Sequence, residues 1–229
     1  MTRRAVHLVV SACVLLILVT TPVAWAGVPF RFVSLTLEEH PQHGDGCAVF
    51  SVQTYGEGLA RLDVYAPGGR NVLAYEATNK RNLGGRLLRL ESPEPDFDQL
   101  LASYPEGLYR FVGTTYDGVV VEGYWPLQHE SLPAPRLVRP YRQLNIFPTP
   151  GRVIVWEPVS GATGYELRVF EPKNGAELRV KLQPQQTTFT IPIAWLLPNF
   201  EYTLQVGTYS ATGNLTFTYE TFVHPGDIP

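Results

Sequence analysis

From residue 27 onward the chain alternates apolar and polar residues over short stretches, and Gly, Pro, Asn or Asp closes almost every one. A period of two sends successive side chains to opposite faces of an extended strand, so the pattern commits the chain to sheets. Candidate strands in the first half are 31–38, 47–55, 59–65, 71–76, 85–90, 109–116 and 119–125. Asp117-Gly118 between the last two predicts a hairpin with a two-residue type I′ turn, which needs positive φ at both positions. One segment departs from the pattern. Asp96-Phe97-Asp98-Gln99 fits a capping box, and Leu100, Leu101 and Tyr104 follow at helical spacing. A short helix over 97–103, stopped by Pro105-Glu106-Gly107, should cross the end of a sandwich. The acids of 91–98 flank prolines and a helix start, so they read as a solvated, capped turn rather than a calcium loop.

Residues 1–26 have the organisation of a removable signal peptide. Arg3 and Arg4 precede an apolar run over 8–19, Pro22 interrupts it, and Ala24-Trp25-Ala26 places the cut between Ala26 and Gly27. The apolar run is shorter than the roughly 20 residues that span a bilayer, so an uncleaved anchor is the weaker alternative. A twin-arginine motif fails after Val6, and Cys13 lies inside the apolar run, which argues against lipid attachment. Losing Arg3 and Arg4 takes the formal net charge from −3 to −5. That acidity argues against nucleic acid or an anionic membrane as partner, since both need basic patches. Any membrane link would run through an uncleaved leader. Cys47 is then the only cysteine, so no internal disulfide forms and stability must come from two hydrophobic cores. Its thiol should be buried at the start of a strand.

Ser131-Leu132-Pro133-Ala134-Pro135 marks a short, stiff linker. It divides the chain into 27–130 and 136–223, and 224–229 should fray. In the second part, four elements follow in order. They are the run from Arg152 through Trp156 to Pro158, Gly164-Tyr165-Glu166-Leu167-Arg168-Val169, Thr188-Phe189-Thr190-Ile191, and Leu196, Pro198 and Tyr202. Together they resemble a fibronectin type III domain. The resemblance implies a core role for Trp156, a third strand carrying Tyr165, and a Tyr202 hydroxyl bonded back across a corner. Alternation puts Tyr165, Leu167 and Val169 on one face and Glu166 and Arg168 on the other, as in a sheet wet on one side. The first part has no equally specific signature. Its strand count, its hairpin and the run from Pro105 to Phe111 suggest an immunoglobulin-like sandwich. The expected fold is all-β, with two tandem antiparallel β-sandwiches behind a leader, as in secreted bacterial proteins with a fibronectin-like domain. Such a tandem is a rod with loops at each end.

The sandwich itself implies no function, because it hosts adhesion modules, receptor ectodomains and spacers alike. The loop 210–214 lacks the Arg-Gly-Asp triplet of integrin-binding members. Asn214-Leu215-Thr216 is a glycosylation sequon, of consequence only in a glycosylating host. No phosphate-binding glycine loop, His-Glu-x-x-His or Gly-x-Ser-x-Gly occurs, so no catalytic residue and no cofactor is expected. One constellation offers metal ligands: His40, His43, Asp45 and Cys47 suit zinc or copper. It lacks Cys-x-x-Cys spacing, and Gly44 and Gly46 make it read as a solvated loop. His129 and His224 have no evident partner. Tyr55, Tyr116 and Tyr141 sit near turns, as a sugar platform would require, although strand-edge packing accounts for them equally. The reading is a secreted or periplasmic, non-enzymatic binding or spacer protein acting on a protein partner through loops and edge strands. Polysaccharide binding is the alternative, and a metal-dependent enzyme at His40, His43, Asp45 and Cys47 comes third.

Overall fold

A computed structural model describes residues 27–77, 84–138, 151–171, 173 and 175–224. The leader, Tyr141 and residues 225–229 lie outside them. The first half contains β1 (Val28–Pro29), β2 (Phe32–His40), β3 (Asp45–Gln53), β4 (Leu59–Tyr65), β5 (Asn71–Glu76) and β6 (Leu87–Glu91). It continues with the helix α1 (Phe97–Ser103), β7 (Gly107–Thr115) and β8 (Val120–Leu127). The second half contains β9 (Gly151–Val155), β10 (Gly164–Glu171), β11 (Ala176–Leu182), β12 (Thr188–Pro192), a 3-10 turn at Ile193–Trp195, β13 (Phe200–Tyr209) and β14 (Leu215–His224). Among the described residues no helix is long and apolar enough to cross a membrane.

Alternation builds two cores. In the first, Leu35, Leu37, Phe50 and Val52 face Leu62, Val64, Tyr109 and Phe111 of the opposing sheet, whose strand order is β1-β8-β7-β4-β5. In the second, Ile154, Trp156 and Ile191 beside the β9–β12 pair cover Leu167, Val169, Leu204 and Val206 of β10 and β13. Each fully buried Leu, Val or Phe side chain contributes roughly 1.5–3 kcal/mol of transfer free energy. Both halves are thus sandwiches, as the alternation requires.

The sandwiches are not merely strung in line. A seven-stranded sheet runs β11-β10-β13-β14-β2-β3-β6 through both of them. The join is parallel, pairing Leu215 with Glu38 and Thr216 with Glu39. In isolated sandwiches β14 and β2 would each present an unpaired edge of N–H and C=O groups. Here each edge covers the other.

Several local expectations change for physical reasons. The β7–β8 hairpin forms, but only Gly118 of its turn has positive φ (84°). Gly118 N donates to Thr115 O at 3.0 Å, so the loop is Tyr116-Asp117-Gly118 rather than a two-residue type I′ turn. Thr115 makes that choice favourable: its hydroxyl donates to the Asp117 carboxylate and accepts from Val119 N. β2 and β3 extend to His40 and Asp45, which leaves a tight turn around Gly44 (φ 77°) in place of a long loop. Gly46 belongs to β3, where a Cβ would fall 2.8 Å from the Phe97 ring and 2.4 Å from Glu38 O. β14 continues through His224, whose carbonyl accepts from Asn199 N. His129 is also held, with Nε2 at 2.7 Å from Tyr104 O and its own N donating to Glu106 Oε1.

Helix α1 starts where the capping pattern places it. The Asp96 carboxylate accepts from Asp98 N at 3.0 Å, and Leu100 is wholly buried against the first core. Replacing an Asp cap by Ala removes an acceptor for an otherwise orphaned donor. Asp96→Ala should therefore cost about 1 kcal/mol in urea unfolding, with an unchanged m-value.

Candidate functional site

On the seven-stranded sheet, the face turned away from both cores carries the chemistry. Strand register puts Glu177 and Arg179 of β11, Glu166 and Arg168 of β10, Glu38 of β2, and Arg89 and Glu91 of β6 on this one face. They form a chain of alternating sign. Glu177 accepts from Arg179 at 2.8 Å, Arg179 lies 3.6 Å from Glu166, and Glu166 accepts from Arg168 at 2.6 Å. Arg168 donates through both terminal nitrogens to both oxygens of Glu38, at 2.8 and 2.7 Å. Glu38 also accepts from Arg89 at 2.8 Å, and Arg89 donates to Glu91 at 3.0 Å. Six strand steps at the usual spacing make this chain about 29 Å long.

Arg168 reaches across two intervening strands because a glycine permits it. A Cβ at Gly207 would lie 2.6 Å from the Phe217 ring, so the ring rests over the bare backbone of β13. The Arg168 guanidinium then sits 4.3 Å above that ring, in cation–π contact, on its way to Glu38. Alternation alone marked Glu166 and Arg168 as the wet side of the sheet. They are instead 2% and 5% exposed, because the first half supplies Glu38 against them. Burial by itself would raise the Glu38 pKa. The hydrogen bonds and charges of Arg168 and Arg89 outweigh burial and hold it below the ordinary carboxylate value.

The same face carries a cavity of about 670 Å³, open to the surface, with Glu38, His40, Arg89, Glu94, Arg168 and Gln205 in its wall. Cys47 also lines it, buried and, among the described residues, outside any disulfide. Burial, then Glu38, Glu91 and Glu94, push its thiol up to about 12, which keeps it protonated and unreactive at neutral pH.

The metal-ligand constellation divides. His40 and Asp45 meet, with Nδ1 at 2.9 Å from Oδ1, but His40 is 3% exposed rather than on a solvated loop. Its ring packs edge-on to Tyr219 at 5.1 Å. His43 is exposed and lies tilted over Tyr219 at 4.7 Å, and neither it nor Cys47 joins the group of close ligand atoms. Glu94 joins it instead. Sequence spacing missed Glu94 because the contact comes from the turn before α1, about fifty residues downstream of His40.

A second set of residues secures the seam. The Asn214 side chain accepts from Leu37 N at 2.9 Å and donates to Gln128 O and Glu130 O at 2.7 and 2.9 Å. Thr212 and Thr218 bond Glu130 O and Pro135 O. The Gln42 amide spans Tyr219 O and Tyr219 N and so prolongs the β14–β2 pairing. The sequon asparagine is thus 3% exposed with both ends of its amide engaged. The loop 210–214 is thus held at the seam through Thr212 and Asn214, while Ala211 stays exposed.

Of the fold-signature residues, Trp156, Tyr165, Leu196 and Tyr202 lie in the second core. Trp156 is 1% exposed and edge-on to Tyr165, and the Tyr202 hydroxyl accepts from Leu197 N beside buried Leu196 and exposed Pro198. The first half repeats the device, since Tyr109 OH donates to Pro105 O at 3.0 Å. In each half a proline stands four residues before the tyrosine. Of the candidate platform tyrosines, Tyr55 is exposed beneath Arg31, whereas Tyr116 is half-buried against Gly84.

The order β11-β10-β13-β14 opposite β9–β12, closed by a tyrosine corner, makes the second half a fibronectin-type-III-like sandwich. No protein-family model and no curated protein matches the chain. Among solved structures it is similar to the FN1-FN3 domains of chicken CNTN1, at 12% identity and a TM-score of 0.35 over 87% of this chain. It spans 65% of that chain's length. It is also similar to a two-domain fibronectin type III segment of chicken tenascin, at 10% identity and a TM-score of 0.32, covering 86% of this chain and 97% of that one.

Removing one member of a buried ion pair strands its partner, at a cost of about 3–5 kcal/mol. Arg168→Met should show that loss in denaturant unfolding, and the Glu38→Leu, Arg168→Met double variant should recover part of it, the remainder being the buried Glu166 that still lacks Arg168. The depressed pKa of Glu38 gives a second expectation. Its contribution is complete above the ordinary carboxylate value and is lost as pH falls through the lower folded-state value. Wild-type stability should therefore drop over that acid window with a steeper slope than the stability of Arg168→Met, as measured by unfolding at a series of pH values.

Proposed function

We propose that this chain is a secreted or periplasmic, non-enzymatic module that acts as one rigid spacer and binding unit on a protein partner. Its two domains, 27–130 and 136–223, meet across the linker 131–135. The shared sheet carries this reading: β14 pairs with β2, and the Glu38–Arg168 bridge lies buried beside that join. A spacer must hold its ends at a fixed separation, and a continuous sheet with a desolvated ion pair resists bending in a way that a free linker does not. Because the loop 210–214 is taken up in the seam, binding falls to the remaining loops and to the outer strands β5, β6 and β11. Export follows from the leader at 1–26.

Rigidity is tested with spin labels at Gln99→Cys and Gln185→Cys, one exposed site in each half, in a Cys47→Ser background. One narrow distance distribution, unchanged by salt, is expected, and a broad one would remove the spacer reading. Binding is tested by immobilising the protein and exposing it to extracytoplasmic fractions of its host. A protein retained by wild type is the expected result. Retention of polysaccharide alone would favour the glycan alternative.

A further inference from the structure

We infer that His40, Asp45 and Glu94 form a binding site for a single zinc ion at one end of the cavity. His40 ends β2, Asp45 opens β3 opposite it, and Glu94 lies in the turn before α1, so the two ends of one hairpin turn and a distant segment converge. His40 Nδ1 is 2.9 Å from Asp45 Oδ1 and 4.0 Å from Glu94 Oε1, and the three ligand atoms all lie within 4.8 Å of one another. A tetrahedral zinc bound to nitrogen and oxygen spaces its donors by roughly 3.4 Å. Glu94 is well exposed and free to swing the small distance required.

The donor set selects the metal. Calcium and magnesium take oxygen ligands, and a buried imidazole with two carboxylates suits zinc. His40 is already oriented, since Tyr219 at 5.1 Å and Phe217 at 5.9 Å hold its ring from the second half. Three protein donors leave a fourth position for water. Gln205 lines the same cavity at 8% exposure, and among the described residues its Oε1 is buried without a hydrogen-bond partner, so a donor inside the cavity, such as water, would satisfy it. The ion would fasten the β2–β3 turn to the segment before α1 at the point where β14 docks. This site stands apart from the spacer reading, which needs no metal.

The test is calorimetric titration of zinc chloride into the chelator-treated protein, purified without a histidine tag, with thermal unfolding followed in parallel. One zinc per chain and a concentration-dependent rise in Tm are expected. Glu94→Gln, a change at an exposed position, should weaken binding at least about tenfold while leaving the metal-free Tm unaltered. His43→Ala should bind as wild type does. Absence of zinc binding overturns the site, as does binding that Glu94→Gln leaves intact or that His43→Ala abolishes. Equal affinity for calcium overturns the choice of metal.

Discussion

The bidentate contact between Arg168 and Glu38 unites the two halves of this protein. Each group alone would be costly at its depth, because a charge removed from water loses several kcal/mol of hydration. Placed together they satisfy each other's geometry, and Glu166 and Arg89 complete the remaining hydrogen bonds. Neither half can bury its charge without the other. The ion pair therefore acts as a condition on assembly: the sandwiches may pack only in the register that brings these two side chains together. Such pairs add specificity of arrangement more than raw stability, and the parallel β14–β2 join shows which arrangement is specified.

Around that contact the seam uses every kind of polar group available. Backbone pairs β14 to β2, the Gln42 amide extends the ladder, and Asn214 ties β2 to the carbonyls of Gln128 and Glu130, just before the linker. Within the linker, the Pro135 carbonyl accepts from the Thr218 hydroxyl. One consequence is chemical. Asn214 satisfies a sequon in sequence but offers no free amide in the folded state.

The fold was legible because it rests on local signals. The alternation of Tyr165, Leu167 and Val169, the capping residue Asp96 and the proline–tyrosine spacing before Tyr202 each act within a few residues. The seam was not legible. Glu166 and Arg168 carry the same pattern whether they face water or a partner sheet, and nothing within ten residues of Arg168 announces Glu38, 130 positions away. His40 shows the same limit. Its neighbours Gln42, His43 and Gly44 read as a solvated turn, whereas the rings of Tyr219 and Phe217, from β14, pack over it. The turn between β7 and β8 was misjudged for a local reason: the threonine before it offers hydroxyl bonds that a dipeptide rule does not count.

The Leu37–Asn214 bond joins residues 177 positions apart, and this separation orders events during synthesis. β2 is made early, and β14 is the last of the described strands. Until β14 arrives, the outer edge of β2 is open, and an open edge invites pairing with other chains. That edge ends in Glu38, Glu39 and His40. Charged side chains on an edge disfavour pairing with a foreign strand, and Glu38 and Glu39 supply two at this one. The stretch of β2 that β14 covers is thus the stretch that carries those charges, and one of them, Glu38, becomes the anchor for Arg168.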